Sequence, residues 1–283
     1  MANEFLTLKS IARQAMPRLI ENLVFPSLIH RDFSDAFEVG KGNTIQVRKP
    51  VALTAKEFTG TIEAQDVNES SVEVKLDKLA TVDVKFSSLE MATNVDDLNR
   101  IFIEPAAAAL AEKINADGLA LLAEVTASVA ADPKSLDAFA QASKVLSKAK
   151  VPVSPRNGVW TPDAEAMFRT VPSIVNAEKS GTTEALRNGS IGRIFGIDNY
   201  MAQGITGNIL GAAFHPFAFA FVTRPLHKPS SAESYVTSYG GITLRVTKSY
   251  DINTKSEILS MDVLYGYKTM DKNLAVKITA AAE

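Results

Sequence analysis

The side chains best suited to acid–base or metal chemistry near neutral pH are the three histidines, His30, His215 and His227. They stand in unrelated contexts, and none belongs to an HExxH or other paired-ligand pattern. His215 precedes a proline beside an aromatic run, which reads as a structural position, because a catalytic histidine needs positioned partners. Cysteine is absent, which removes disulfides, thiolate nucleophiles and Cys-ligated zinc. The segment GSIGRIFG at 189–196 has neither GxGxxG nor Gly-Lys-Ser/Thr, so its glycines read as turn formers instead of a phosphate cradle. No GxSxG elbow occurs. Asp96 and Asp97 are adjacent carboxylates, but neighbouring helical positions do not face one point, and both suit the positive end of a helix dipole. Asn68-Glu69-Ser70 and Asn188-Gly189-Ser190 match a glycosylation pattern without a secretion signal to give it meaning. The expectation is a chain with no catalytic residues, no metal ligands and no cofactor.

The elements around these residues suggest a frame. The stretch 94–131 predicts one long helix: Asn94 caps it, apolar residues recur from Leu98 to Val125 at helical spacing, and Asp132-Pro133 closes it. Continuous, it would reach ~55 Å, a spine. Pro105 must kink it or sit in an early turn, and the alanines at 106–109 invite close packing. Residues 5–25 predict an amphipathic helix, bent or restarted at Pro17, which docks on its own domain or on a neighbour. Read as an arm, its removal should leave a folded body and block assembly.

Residues 44–51 alternate as a strand that Pro50 confines to an edge. A polar loop follows at 55–71, and then SSVEVKLDK and ATVDVKFSS, which read as a long hairpin arm. Further on come a helix at 135–150, a short strand at 158–161, a helix from Pro162, and one buried strand across 210–223. Three strands end the chain. The order implies α+β with two subdomains, the second inserted between spine and C-terminal strands.

Composition is that of a water-soluble globular chain: 283 residues, 46% hydrophobic, 22% charged, formal net charge -2. Nothing global points to a nucleic-acid or membrane-surface partner, and basic residues do not interleave with aromatics. The N-terminus lacks a signal-peptide core and no stretch is long and apolar enough to span a membrane, so synthesis in a cytoplasm is expected. Charge does divide along the arm. Arg48, Lys49 and Lys56 stand without acidic company, whereas Glu63, Asp66, Glu69 and Glu73 are opposed only by Lys75. These seven are the candidate subunit-interface residues, since complementary charge on a neighbour would guide register more than add affinity.

Taken in order, IARQAMPRLIENLVFPSLIHRDFSDAF, GKGNTIQVRKPVALTAKEF, IEPAAAALAEKINADGLALLAEV, RNGSIGRIFGIDNYMAQGI and VLYGYKTMDKNLAVKI cover most of the chain. Together they resemble the major capsid (coat) proteins of tailed bacteriophages, in the podovirus-type coat family with the Hong Kong 97-type fold. The resemblance implies an N-terminal arm at 1–43, a strand and E-loop hairpin at 44–78, a peripheral (P) domain with the spine helix at 79–132, an axial (A) domain at 133–221, and strands at 222–283 that return to the P domain. It further implies a non-enzymatic subunit that self-assembles as pentamers and hexamers into an icosahedral shell enclosing the phage genome. The implied partners are copies of itself, a separate scaffolding protein, a portal, a possible decoration protein, and packaged double-stranded DNA without sequence specificity. It implies no membrane, a place in the virion, and assembly in the host cytoplasm. An encapsulin-like cellular compartment shell of the same fold is the nearest alternative, and a soluble α+β enzyme or ligand-binding protein a more distant one.

Overall fold

In a computed structural model the described residues are 8–31, 42–48, 55, 57, 71–87, 102–132, 134–175 and 191–280. The chain begins with helix α1 (Leu8–Asn22) and the short helix α2 (Phe25–Leu28), followed by strands β1 (Thr44–Arg48), β2 (Ser71–Lys75) and β3 (Lys78–Ser87). Helix α3 (Glu104–Leu119) leads through a 3-10 turn to β4 (Ser128–Ala131), α4 (Asp137–Lys148), β5 (Asn157–Trp160), α5 (Pro162–Phe168) and α6 (Pro172–Val175). Strands dominate from there: β6 (Arg193–Ile194), β7 (Ile197–Met201), β8 (Ile209–Phe214), β9 (Phe219–Arg224), β10 (Glu233–Tyr239), β11 (Ile242–Asp251) and β12 (Ser256–Thr269). β13 (Ala275–Ala280) is the last element.

α1 forms because Leu8, Ile11, Ala12, Ala15, Met16 and Leu19 fall on one stripe, and all six are buried. Pro17 lies on the exposed side and the helix runs through it. This stripe packs into the main core of its own chain, against α3 and the β10–β11 pair. Of the two docking sites expected for this helix, its own chain's core is the one it takes from Leu8 onward. α2 adds Phe25, whose ring meets Phe214, Phe219 and Tyr267 at centroid distances of 5.7, 5.7 and 6.4 Å. Gly118 of α3 makes room for that ring, since a Cβ there would come within 2.5 Å of it.

The long helix expected over 94–131 is corrected. Residues 94–101 lie outside the described residues, and α3 ends at Leu119, where the 3-10 helix Ala120–Glu124 takes over. Val125 is extended and Ser128–Ala131 is a strand, paired in parallel with β13. The alanines there suit either state; a vacant sheet edge, which the local pattern does not reveal, decides it. Pro105 occupies the first turn of α3, where its missing N–H has no intrahelical partner to lose, so it makes no kink in the helix body.

Two sheets carry the rest. One is antiparallel, ordered β10-β11-β12-β3, with β9 pairing the second half of β12. The other is mixed, ordered β4-β13-β8-β5-β7-β6. The main core lies between α1, α2, α3 and the first sheet; a second core, built around Phe139, Trp160 and Phe168, lies under α4 and α5. Thr161 caps α5 by accepting from the Ala164 amide at 3.3 Å, with Pro162 just inside the helix as its sequence predicts.

Three further expectations change. β2 does not form a hairpin with β3: it pairs with β1, Ile45 opposite Val74, while β3 pairs with β12 along its whole length. Val74 and Leu76 pack with Ala220, Val222 and Met270 in a separate small cluster, which turns β2 away from the main sheet. The apolar run 210–223 is two strands in two different sheets, broken at His215-Pro216, so the boundary drawn at 221 cuts through β9. Finally, β13 joins the mixed sheet beside β8 and β4 and does not return with β11 and β12 to the antiparallel one.

Candidate assembly surfaces

The two-stranded β1–β2 ribbon carries two of the seven candidate interface residues, Arg48 and Glu73. The other five, Glu63, Asp66, Glu69, Lys49 and Lys56, lie outside the described residues. Arg48 ends β1 opposite Ser71. Glu73 stands exposed in mid-strand opposite Gln46, and Lys75 neutralises it at 3.5 Å. Both side chains of that pair are about half exposed, so it is worth little to the fold. The structure thus places Arg48 and Glu73 on one ribbon and leaves the remaining candidates unplaced.

The root of the ribbon is firm. Asn43 and Leu76 close it through Leu76 N–H to the Asn43 carbonyl at 2.8 Å and Asn43 Nδ2 to the Leu76 carbonyl at 3.3 Å. Beneath it, Gly266 of β12 faces the Lys75 carbonyl so closely that a Cβ there would collide with it. A glycine inside an alternating strand pattern marks close backbone approach, and LYGYK carries that signal within the sequence itself.

Where the ribbon enters the body, Asp117 of α3 is held by Lys113 Nζ at 2.9 Å, Lys78 Nζ at 3.4 Å and the Tyr265 hydroxyl at 2.8 Å. Burial pushes the Asp117 carboxyl up, but the hydrogen bonds from Lys113 and Tyr265 and the two lysine charges outweigh it and hold the group below the usual range. Burial and the adjacent carboxylate push the Tyr265 phenol far up, so it stays a donor. Helix, β3 and β12 meet in this knot, whose groups are engaged with one another.

Arg156 is the second polar centre, fully buried and, among the described residues, paired with no carboxylate. Its guanidinium donates to the carbonyls of Pro152 and Val151 at 2.7 Å each and to the hydroxyls of Ser143 and Ser147 at 3.3–3.4 Å. His215 lies near enough to feel its charge. Burial, then Arg156, pulls the His215 imidazole below its ordinary value, and its Nδ1 accepts from the Phe217 amide at 3.3 Å, closing the turn between β8 and β9. Both side chains are buried. Arg156 has no signature in the sequence, since a buried cation satisfied by carbonyls needs no local motif.

The depressed His215 value fixes a sign. The unfolded chain, with imidazole near 6.5, binds a proton that the folded chain refuses. The His215 contribution is therefore complete above about pH 6.5 and is lost as pH falls below it. Melting at pH 7.5 and 5.5 should show a larger drop in Tm for the wild type than for His215→Asn, which keeps an acceptor for the turn. Equal drops would remove His215 as the source. Asp117 acts in a separate window, since its contribution persists until the pH falls below about 3.9.

Among the described residues no group of three or more His, Asp or Glu could hold a metal ion, and no helix is long and apolar enough to cross a membrane. A surface notch of about 340 Å³ lies between the end of α1, α3 and the end of β7, but the Asn115 amide on its wall is spent on Asn22 and Phe25 backbone. Large apolar side chains stand out at the ends of the sheets: Tyr239 is 70% exposed, Val153 68%, Ile252 66% and Phe195 54%. They stand singly, in turns and at strand ends, and do not join into one apolar patch of the kind that marks a binding site.

No protein-family description and no curated protein sequence matches the chain. Solved structures do. A structure from Mycobacterium phage Che8 matches with TM-score 0.70 and 22% identity over 90% of each chain. The mature capsid of bacteriophage PhiM1 matches with TM-score 0.61 and 12% identity over 86% of this chain and 84% of that one. The chain has the Hong Kong 97-type capsid fold. The same fold extends to the virus-like particle from Pyrococcus furiosus, with TM-score 0.55 and 10% identity over 95% of this chain and 98% of that one. The resemblance to tailed-phage coat proteins read from the sequence thus holds at the level of fold. Against what that resemblance implies, the capsid fold of this chain has a shorter α3 and an N-terminal helix packed in the core.

Proposed function

We propose that the chain is a non-enzymatic capsid subunit that assembles as pentamers and hexamers into an icosahedral shell around a phage genome. The observation that carries this reading is the match to a phage structure over 90% of both chains, so that the likeness embraces both sheets and both cores instead of one shared motif. Its parts take the roles of that architecture. The β1–β2 ribbon belongs to the E-loop hairpin, the antiparallel sheet with α1 and α3 forms the P domain, and the mixed sheet with α4 and α5 forms the A domain. Contacts between unlike surfaces of identical subunits close into rings, and many modest contacts add up by multiplicity. The partners in this reading are further copies, a scaffolding protein, a portal, a possible decoration protein, and double-stranded DNA held without sequence specificity in a virion assembled in the host cytoplasm. The near-neutral chain fits a container for DNA that is not read base by base.

A second reading, a cellular compartment shell with protein cargo, is favoured by the likeness to the virus-like particle. Electron microscopy of the purified protein tests the first claim: closed shells or five- and six-membered rings are expected, and a persistent monomer would reject both readings. Shells recovered with nuclease-protected DNA from infected or induced cells favour the phage capsid. Shells recovered with one dominant foreign protein and no DNA favour the compartment.

A further inference from the structure

Strand β10 ends the antiparallel sheet. It is joined to β11 by Gly240 and Gly241, whose φ values of 59° and 75° are those of a type I′ turn. Such a two-residue turn is closed by a hydrogen-bonded pair, here Tyr239 with Ile242. Counting back by two, Tyr239, Thr237, Tyr235 and Glu233 direct their N–H and C=O groups toward β11. Ser234, Val236 and Ser238 therefore aim theirs out of the sheet, and among the described residues no strand pairs with them.

Free edges are ordinarily blunted by charge, proline, a bulge or shortness. β9, paired only with β12, has its other side met by the His30 backbone, through the Phe219 carbonyl at 3.3 Å and the Phe221 amide at 2.9 Å. Other edges are blunted as expected. β6 has two residues and β4 four, β3 carries Lys78, Asp83 and Lys85, and the ribbon carries Glu73 and Lys75. β10 has seven residues paired without a register shift, no proline, and one charge at its end. At that edge Tyr239 is the most exposed large apolar side chain of the described residues.

We propose that β10 is a docking edge for β10 of a second copy, antiparallel about a two-fold axis through Val236. That register sets Val236 against Val236, Ser234 against Ser238, Tyr235 against Thr237 and Glu233 against Tyr239. It brings no like charges opposite one another, pairs small hydroxyls with each other, and covers Tyr239. The contact is isologous, the same patch on both copies, and joins two sheets into one. It names a partner surface within the shell reading but rests on strand geometry alone.

The test uses the absence of native cysteine. In the proposed register the two Val236 residues form a hydrogen-bonded pair with Cα atoms about 5.5 Å apart, within disulfide range. The full-length Val236→Cys variant should form disulfide-linked dimers under mild oxidation. A Leu79→Cys control on the opposite edge should link at least tenfold more slowly. Val236→Pro removes an outward N–H without touching the β11 ladder and should weaken self-association at least tenfold by analytical ultracentrifugation. If that variant fails to fold, Val236→Lys places two like charges face to face and should do the same. Linkage no faster than in the control, or wild-type association in folded Val236→Pro and Val236→Lys, overturns the pairing. Shells without Val236→Cys linkage also overturn it while the shell reading stands; linked dimers without shells support it while the shell reading falls.

Discussion

Deletion of residues 1–25 is expected to give a chain without a cooperative melting transition. Leu8, Ile11, Met16, Leu19, Leu23 and Phe25 are all buried in the main core, under α3 and against the antiparallel sheet. Burying one large apolar side chain contributes about 1.5–3 kcal/mol, so six of them amount to roughly 10 kcal/mol, a figure that equals the whole stability of an ordinary domain. Phe25 adds edge contacts to Phe214, and its removal leaves a hole bounded by Gly118, which no side chain can fill. The deletion should appear in inclusion bodies, or as a species that binds hydrophobic dye and melts without a sigmoid. A truncated protein melting cooperatively within a few degrees of the wild type would return α1 to the status of a dispensable arm.

Gly266→Ala should lower stability by about 2–3 kcal/mol, or roughly 5–10 °C in Tm, a large effect for one methyl group. The added carbon meets the Lys75 carbonyl, and a backbone atom cannot swing aside as a flexible side chain can. Either β12 bends or the β1–β2 ribbon lifts from its seat on Val222 and Met270. In the second case the body stays folded while the ribbon changes direction, so assembly should fail even where the melt is only moderately shifted. Gly42→Ala is the matched control for space, with nothing within 4 Å of its Cβ position, though its φ of 91° carries a backbone cost of its own. Thermal melts with particle yield for both variants separate a steric from a conformational effect. An unchanged Tm for Gly266→Ala would mean that the ribbon is not seated as described.

How far the sequence can be read depends on what decides each element. β11, β12 and β13 are legible because Leu244, Val246, Met261, Val263, Val276 and Ile278 are buried at strand spacing. The α1 stripe and the Thr161-Pro162 start of α5 are legible because local pattern and local capping agree. β10 is not: SYVTSY is mostly polar, and its place beside β11 follows from a hairpin turn instead of from hydrophobicity. β4 reads as helix because alanine favours helix locally, while a distant strand, β13, offers it an edge. The partner of β2 is hidden for a related reason, since the alternation of β2 and β3 fixes their faces and not their neighbours. The interface candidates rest on charge alone. Charge places a residue at a surface, and of the seven only Arg48 and Glu73 can be put on an element.

The 14-residue β12 is paired along its whole length: with β3 from Ser256 to Tyr265, with β11 from Ser256 to Asp262, and with β9 from Leu264 to Thr269. At about 3.3 Å per residue it runs some 45 Å, farther than α3, at 1.5 Å per residue, reaches with about 24 Å. Ladder hydrogen bonds lie across the strands, so tension along β12 loads them together in shear, whereas a peeling force would open them one at a time. The stiff member of this molecule is thus a strand clamped from both sides. A chain pulled along this axis would give way at the turns between its sheets before this girder slipped.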